Sequence, residues 1–142
     1  MTPAKQTLKA AREFLESAEL LLSSGPGADD LDGMSAWIAS MNAAFARWAQ
    51  LAGECETIYA RLAQLEISQI SEEDFKRIKG SSTLTELWVK GKYPDAWSVV
   101  IRMERMGKVF TEVLQNSRTL LASWRQEREF EIRSTINQNA RQ

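Results

Sequence analysis

The chain has 142 residues, with 18 lysines and arginines against 19 acidic residues, a single cysteine and no histidine. One cysteine rules out an internal disulfide and suits a reducing cytoplasm, and the missing histidine removes the commonest acid–base group and metal ligand. The length is that of one domain, and a composition 44% apolar and 26% charged is ordinary for a soluble globular protein.

The N-terminal stretch carries the apolar patch Leu20, Leu21 and Leu22, but also Glu13, Glu16 and Glu19, and it lacks the basic-then-apolar layout of a signal peptide. No run approaches the roughly 20 apolar residues of a membrane span. The expectation is a cytoplasmic protein without a membrane role. A first helix is predicted from Pro3 to about Leu22, with Thr2 as its cap and Pro3 in the turn where a missing amide hydrogen costs nothing. Leu8, Ala11, Leu15, Ala18 and Leu22 make its apolar stripe. Residues 23–33, rich in Ser, Gly, Pro and Asp, break it as a loop. The aspartates there lack the remaining ligands and terminal Glu of an EF-hand.

A second helix is predicted from near Gly33 to about Glu66. Its apolar seam runs Met34, Ile38, Met41, Phe45, Trp48, Ala52, Cys55, Tyr59 and Leu62. A last helix is predicted from Pro94 to about Ile132, with the seam Ala96, Val99, Met103, Met106, Phe110, Val113, Ser117, Leu120 and Trp124. Both seams alternate steps of four and three, the spacing that keeps one stripe facing a partner helix. At about 1.5 Å per residue the second helix is about 50 Å long, so another long helix must lie against it. Bulk at Phe45, Trp48, Phe110 and Trp124 is hard to bury between two helices alone. Helix one is therefore expected to fill the gap, and the chain to self-associate. Met41, Phe45, Trp48, Met103, Met106, Phe110 and Trp124 form the expected oligomer or partner seam, pairing within one chain or between chains.

Between the long helices, Ser71 with Asp74 three residues on predicts a capped short helix through Lys79, ended by Gly80. Thr83 with Glu86 predicts a second, through about Lys90, and Gly91 and Pro94 bracket the turn into the last helix. Glu127 and Glu131 fall where the seam needs apolar residues. Residues 134–142 read as a polar, disordered tail beyond a single helical domain of residues 1–133. The fold expected is all-α: an elongated, oligomeric bundle of two long heptad-patterned helices joined by short ones.

Charge is segregated. Residues 1–74 hold 5 basic and 12 acidic side chains, residues 75–108 hold 8 and 3, and residues 109–142 hold 5 and 4. A block of one sign creates a local potential that attracts polyanions, unless it faces the acidic first half. Within the basic block, Lys76, Arg77 and Lys79 lie beside Gly80 and the hydroxyls of Ser81 and Ser82, a composition that holds phosphate. Lys90 and Lys92 alternate with Trp88 and Tyr93, as in proteins that grip a single strand by its backbone while rings stack on its bases. Arg102 and Arg105 follow on the last helix, with Lys108 beyond. The plainer readings are that Trp88 and Tyr93 pack a hinge, and that Arg102 and Arg105 pair with Glu104.

Enzymatic candidates are poor. Glu72, Glu73 and Asp74 suit a helix start, where carboxylates meet the positive end of the dipole. Cys55 lies inside the first seam with no histidine to activate it. Lys79, Gly80 and Ser81 lack the upstream glycine and preceding strand of a phosphate loop. The chain is not expected to be an enzyme, nor to need a cofactor or metal.

The size, the long helix bearing Trp48, the segment Tyr59, Ala60, Arg61 and Leu62, and a late helix with Ser117 and Arg118 together resemble the UvsY-type recombination mediators of T4-like phages. The resemblance covers about residues 40–120. It implies a small helical protein that assembles into rings, binds single-stranded DNA and helps load a recombinase. Where that family has Lys-Ala-Arg-Leu, with its Lys and Arg implicated in DNA contact, this chain keeps Arg61 and has Tyr59 in the lysine's place. The family's following Gly- and Tyr-rich stretch is absent. The competing class is a non-enzymatic protein-binding adaptor or inhibitor, such as a phage anti-defence protein or a helical subunit of a larger assembly. Five tryptophans support it, since exposed tryptophans favour protein interfaces.

Overall fold

The computed structural model describes residues 1–27 and 29–142; Ala28, in the expected loop, lies outside the described residues. The described residues form five helices and no strand: α1 (Pro3–Ser23), α2 (Leu31–Ser68), α3 (Glu72–Ile78), α4 (Ser82–Lys92) and α5 (Pro94–Ala140). No described helix is long and apolar enough to cross a membrane.

Local chemistry sets most boundaries. The Thr2 hydroxyl accepts from the Lys5 amide at 3.4 Å and Pro3 opens α1. Asp30 caps α2 through its carboxylate, which accepts from the Gly33 amide at 2.7 Å, so α2 begins two residues before Gly33. The absence of a side chain at Gly33 leaves room for that carboxylate. The predicted cap at Thr83 is corrected: Gly80, at φ 77°, turns the chain so that Ser81 is extended and accepts from the Leu84 amide at 3.2 Å. Thr83 therefore sits inside the first turn, and Gly91 inside the last, rather than bracketing the helix.

The long helices α2 and α5 lie antiparallel within one chain. Trp48 meets Met103, Tyr59 meets Trp97, and Asn42 meets Arg118, so ascending positions on one helix meet descending positions on the other. Helix α1 packs against both, filling the space that large seam residues would otherwise leave. Ala11, Leu15 and Ala18 of α1 are buried against a core containing Met41, Leu51, Cys55, Met103 and Phe110. Phe110 sits at its centre, fully buried, with Phe14 and Phe45 ring centroids at 6.3 and 6.1 Å.

The seam on α5 drifts. Through Phe110 every heptad position is buried, with Gly107 besides, but beyond it the buried positions are Leu114, Ser117 and Leu121, while Leu120 is exposed. A straight helix of 3.6 residues per turn slips by about 20° per heptad, and the buried face moves accordingly. Trp124 returns to the packed side. Glu127 and Glu131 are exposed and line a small pocket with Asp29, Leu31, Trp124 and Arg128, so the apolar pattern ends where α5 passes the start of α2.

Helix α5 also runs on to Ala140, past Ile132 and through most of the expected tail. A helix closes its own backbone hydrogen bonds and can continue without a tertiary partner. Phe130, Ile132 and Ile136 are exposed on this extension.

Candidate functional site

The short helices form a limb at the end of the bundle where α2 stops and α5 begins. Among the described residues α3 packs on α4 alone, and α4 touches α2 and α5. The Ser71 hydroxyl accepts from the Asp74 amide at 3.2 Å, the acidic residues Glu72, Glu73 and Asp74 occupy the first turn, and Lys76 and Arg77 the last. Both ends match the helix dipole. Ile78 is buried at the joint with α4.

Lys76, Arg77 and Lys79 are all exposed at this tip. Asp74 Oδ1 lies 4.0 Å from Arg77, the outer edge of an ion pair, and no described residue forms one with Lys76 or Lys79. Ser81 uses its hydroxyl as a cap, while Ser82 is exposed in the opening turn of α4.

At the α4–α5 elbow the cations sit on rings. Lys90 Nζ lies 4.2 Å from the Trp97 ring centroid and 3.9 Å from Glu86 Oε2. Lys92 Nζ lies 5.3 Å from the Trp88 centroid. A cation over a ring face is held there by the ring's quadrupole. Tyr93 is tied down: its hydroxyl donates to Glu66 Oε1 at 2.6 Å, and that bond, with burial and the carboxylate's charge, raises its pKa. Tyr93 therefore braces the elbow against α2, and Trp88 is half-buried beneath its lysine.

On α5, Arg102 reaches back to Glu19 at 3.9 Å, and Glu104 pairs with Lys108 at 3.6 Å rather than with either arginine. Arg105 is exposed, and no described residue forms an ion pair with it. Among the described residues, two side chains of the basic block form ion pairs with residues 1–74: Arg77 with Asp74, one helical turn away, and Arg102 with Glu19 on α1. Arg61 is exposed on the rim of a groove with Ile58, Leu62 and Leu65.

The expected partner seam lies largely inside the chain. Met41, Met103, Met106 and Phe110 are buried, and Phe45, Trp48 and Trp124 pack against the same core. All five tryptophans are half-buried. Trp37 donates to the Leu21 carbonyl at 2.9 Å and Trp48 to the Met103 carbonyl at 2.6 Å. Cys55 is buried; desolvation, then the charges of Glu54 and Glu56, push its thiol pKa up.

Two features escaped the sequence reading. Gly107 is buried beneath Trp48, and a glycine outside any turn gave no signal of it. Phe75, Leu84 and Leu87 are exposed on the limb, and the three- and four-residue spacing of Leu84, Leu87 and Trp88 could have suggested a second apolar face. Among the described residues no three acidic or cysteine side chains are placed to hold a metal ion. Comparison with protein-family models, with curated proteins and with solved structures gave no match.

Proposed function

We propose that this chain is a single-stranded DNA-binding recombination accessory, acting as an oligomer, with the limb and elbow as its contact strip. The observation that carries the reading is the exposed trio Lys76, Arg77 and Lys79 on one tip, with Asp74 as the only acid in pairing range among the described residues. Lys90 and Lys92 extend the positive surface along α4, and Arg105 extends it onto α5. The resemblance to UvsY-type mediators supports the same role and adds a recombinase as a protein partner.

Few phosphates per subunit would be engaged, and the chain's isoelectric point is about 5.6. Tight binding then depends on several subunits acting on one strand. The exposed Phe130, Ile132 and Ile136 support self-association through the α5 extension.

Fluorescence anisotropy of a labelled oligothymidylate at two salt concentrations tests the reading. Binding is expected at micromolar or lower protein and weakens steeply with salt; Lys76→Glu, Arg77→Glu and Lys79→Glu together remove it without loss of helicity. The second reading is a protein-binding adaptor, favoured by exposed Phe75, Leu84 and Leu87 on the same limb. A flat titration at low salt selects it.

A further inference from the structure

The first turns of α1 bring a second set of cations to the elbow. Lys5, Lys9 and Arg12 recur at four- and three-residue spacing, so they share one face of α1, about one per helical turn. That face and the α4–α5 junction enclose a cleft of about 570 Å³, and Lys92 lines its opposite side. Sequence separation hides this meeting: the α1 cations belong to the acidic first half, and Lys92 to the basic block.

The cleft is chemically one-sided. Among its lining residues the only acid is Asp95, against four cations. Lys9 is paired with Glu13 at 3.8 Å, but both side chains are more than half exposed, so the pair is weak and exchangeable. No described residue forms an ion pair with Lys5, Arg12 or Lys92. The floor is apolar, with Leu8, Leu62 and Ala96 beneath the charged rim. Tyr93 borders it with a ring held in place by Glu66.

We infer that this cleft is a second contact site for single-stranded DNA, with Lys5, Lys9, Arg12 and Lys92 on its phosphates and the apolar floor under a base. The inference rests on the function proposed above and extends its surface from the limb to α1. The chemistry fits that ligand: cations spaced along a helix match a repeating anion, while an apolar floor beside them has little to offer a bare phosphate. Lys92 stands at the junction of the two surfaces, over Trp88 on one side and lining the cleft on the other. A strand leaving the limb would therefore pass into the cleft along the elbow.

The test compares three charge-reversed proteins with the unaltered chain by oligothymidylate anisotropy across a salt series. One carries Lys5→Glu, Lys9→Glu and Arg12→Glu; one carries Lys76→Glu, Arg77→Glu and Lys79→Glu; a control carries Arg47→Glu and Arg125→Glu, on α2 and α5 away from the elbow and before the α5 extension. All eight positions are exposed, so circular dichroism should be unchanged. The cleft variant is expected to lose at least tenfold in affinity and to flatten the dependence of log K on log salt by about two, at about 0.7 per phosphate contact. The control should stay within about twofold. Normal binding by the cleft variant, with the limb variant impaired, overturns the cleft and leaves the proposed function standing. Equal losses in cleft and control variants reduce the effect to net charge and overturn it too. An unaltered chain that does not bind at all overturns both.

Discussion

Trp48 occupies the space that any side chain at position 107 would need. A methyl group added to Gly107 would lie well inside van der Waals contact of the indole ring, which is held there by its hydrogen bond to the Met103 carbonyl. The ring thus rests directly on the backbone of α5.

Gly107→Ala should lower stability by about 1–3 kcal/mol, the usual cost of overpacking a filled core, read as a fall of several degrees in melting temperature. Trp48→Phe removes the indole hydrogen bond and should cost about 1 kcal/mol on that account. Together the two changes should cost less than their sum, because the smaller ring leaves room for the methyl group. Additive losses in a thermal-denaturation cycle would show that the two residues act independently.

Cys55 should resist alkylation in the native chain and react at once when it is unfolded. Its thiol is buried and its pKa raised, so less thiolate exists at any given pH than in the unfolded chain. A thiol assay at pH 8 with and without denaturant makes the comparison; equal rates would contradict the burial.

Alkaline pH should destabilise the fold. The pKa values of Cys55, Tyr59 and Tyr93 are all raised in the folded chain: by burial and then Glu54 and Glu56 at Cys55, by burial and then Glu86 at Tyr59, and by the Glu66 bond at Tyr93. A folded state that holds its protons more tightly is favoured below the ordinary values of these groups and loses ground as pH rises through the raised ones. Denaturation midpoints should therefore fall from pH 9.0 upward, the ordinary thiol value. A midpoint still level at pH 11 would argue that these shifts are negligible.

The limb should open before the bundle does. Helix α3 has seven residues, packs on α4 alone among the described residues, and buries only Ile78. Its amides should exchange with solvent far faster than those around Phe110 on α5. Ser71→Ala, which removes the α3 cap, should speed exchange in α3 while leaving the α5 core unchanged.

Removing residues 132–142 should leave the three-helix core folded, with its melting temperature nearly unchanged, since no described residue in that stretch is buried. If the extension carries self-association, light scattering should record a smaller particle after truncation. A particle of unchanged size would place the contacts elsewhere.

The helical periodicity of this sequence is strong enough that the long helices, the α1 stripe and most of the core are legible in it. Thr2 and Ser71 were readable as caps because each sits directly before an amphipathic run. Ser81 was obscured by Thr83, whose spacing to Glu86 gives the same signal; the positive φ of Gly80 decides between them, and sequence does not display a dihedral angle. The drift past Phe110 was missed because a heptad template assumes 3.5 residues per turn where a straight helix has about 3.6. Among the candidate contact residues, charge segregation pointed to the limb. It could not reveal that Lys5 and Lys92 line one cleft, because that meeting depends on how α1 crosses the bundle.

The overhang of α5 gives the molecule a direction. At one end stand the basic limb and the elbow, at the other a lone stem with Phe130, Ile132 and Ile136 along it. If each stem seated on a different surface of its neighbour, the subunits would all point the same way around a closed ring or along an open filament; a stem-to-stem contact would instead give a two-fold pair. In the ring or filament each limb would repeat at a fixed interval on the same rim, so that a flexible polyanion could be passed from one subunit to the next without reversing its path.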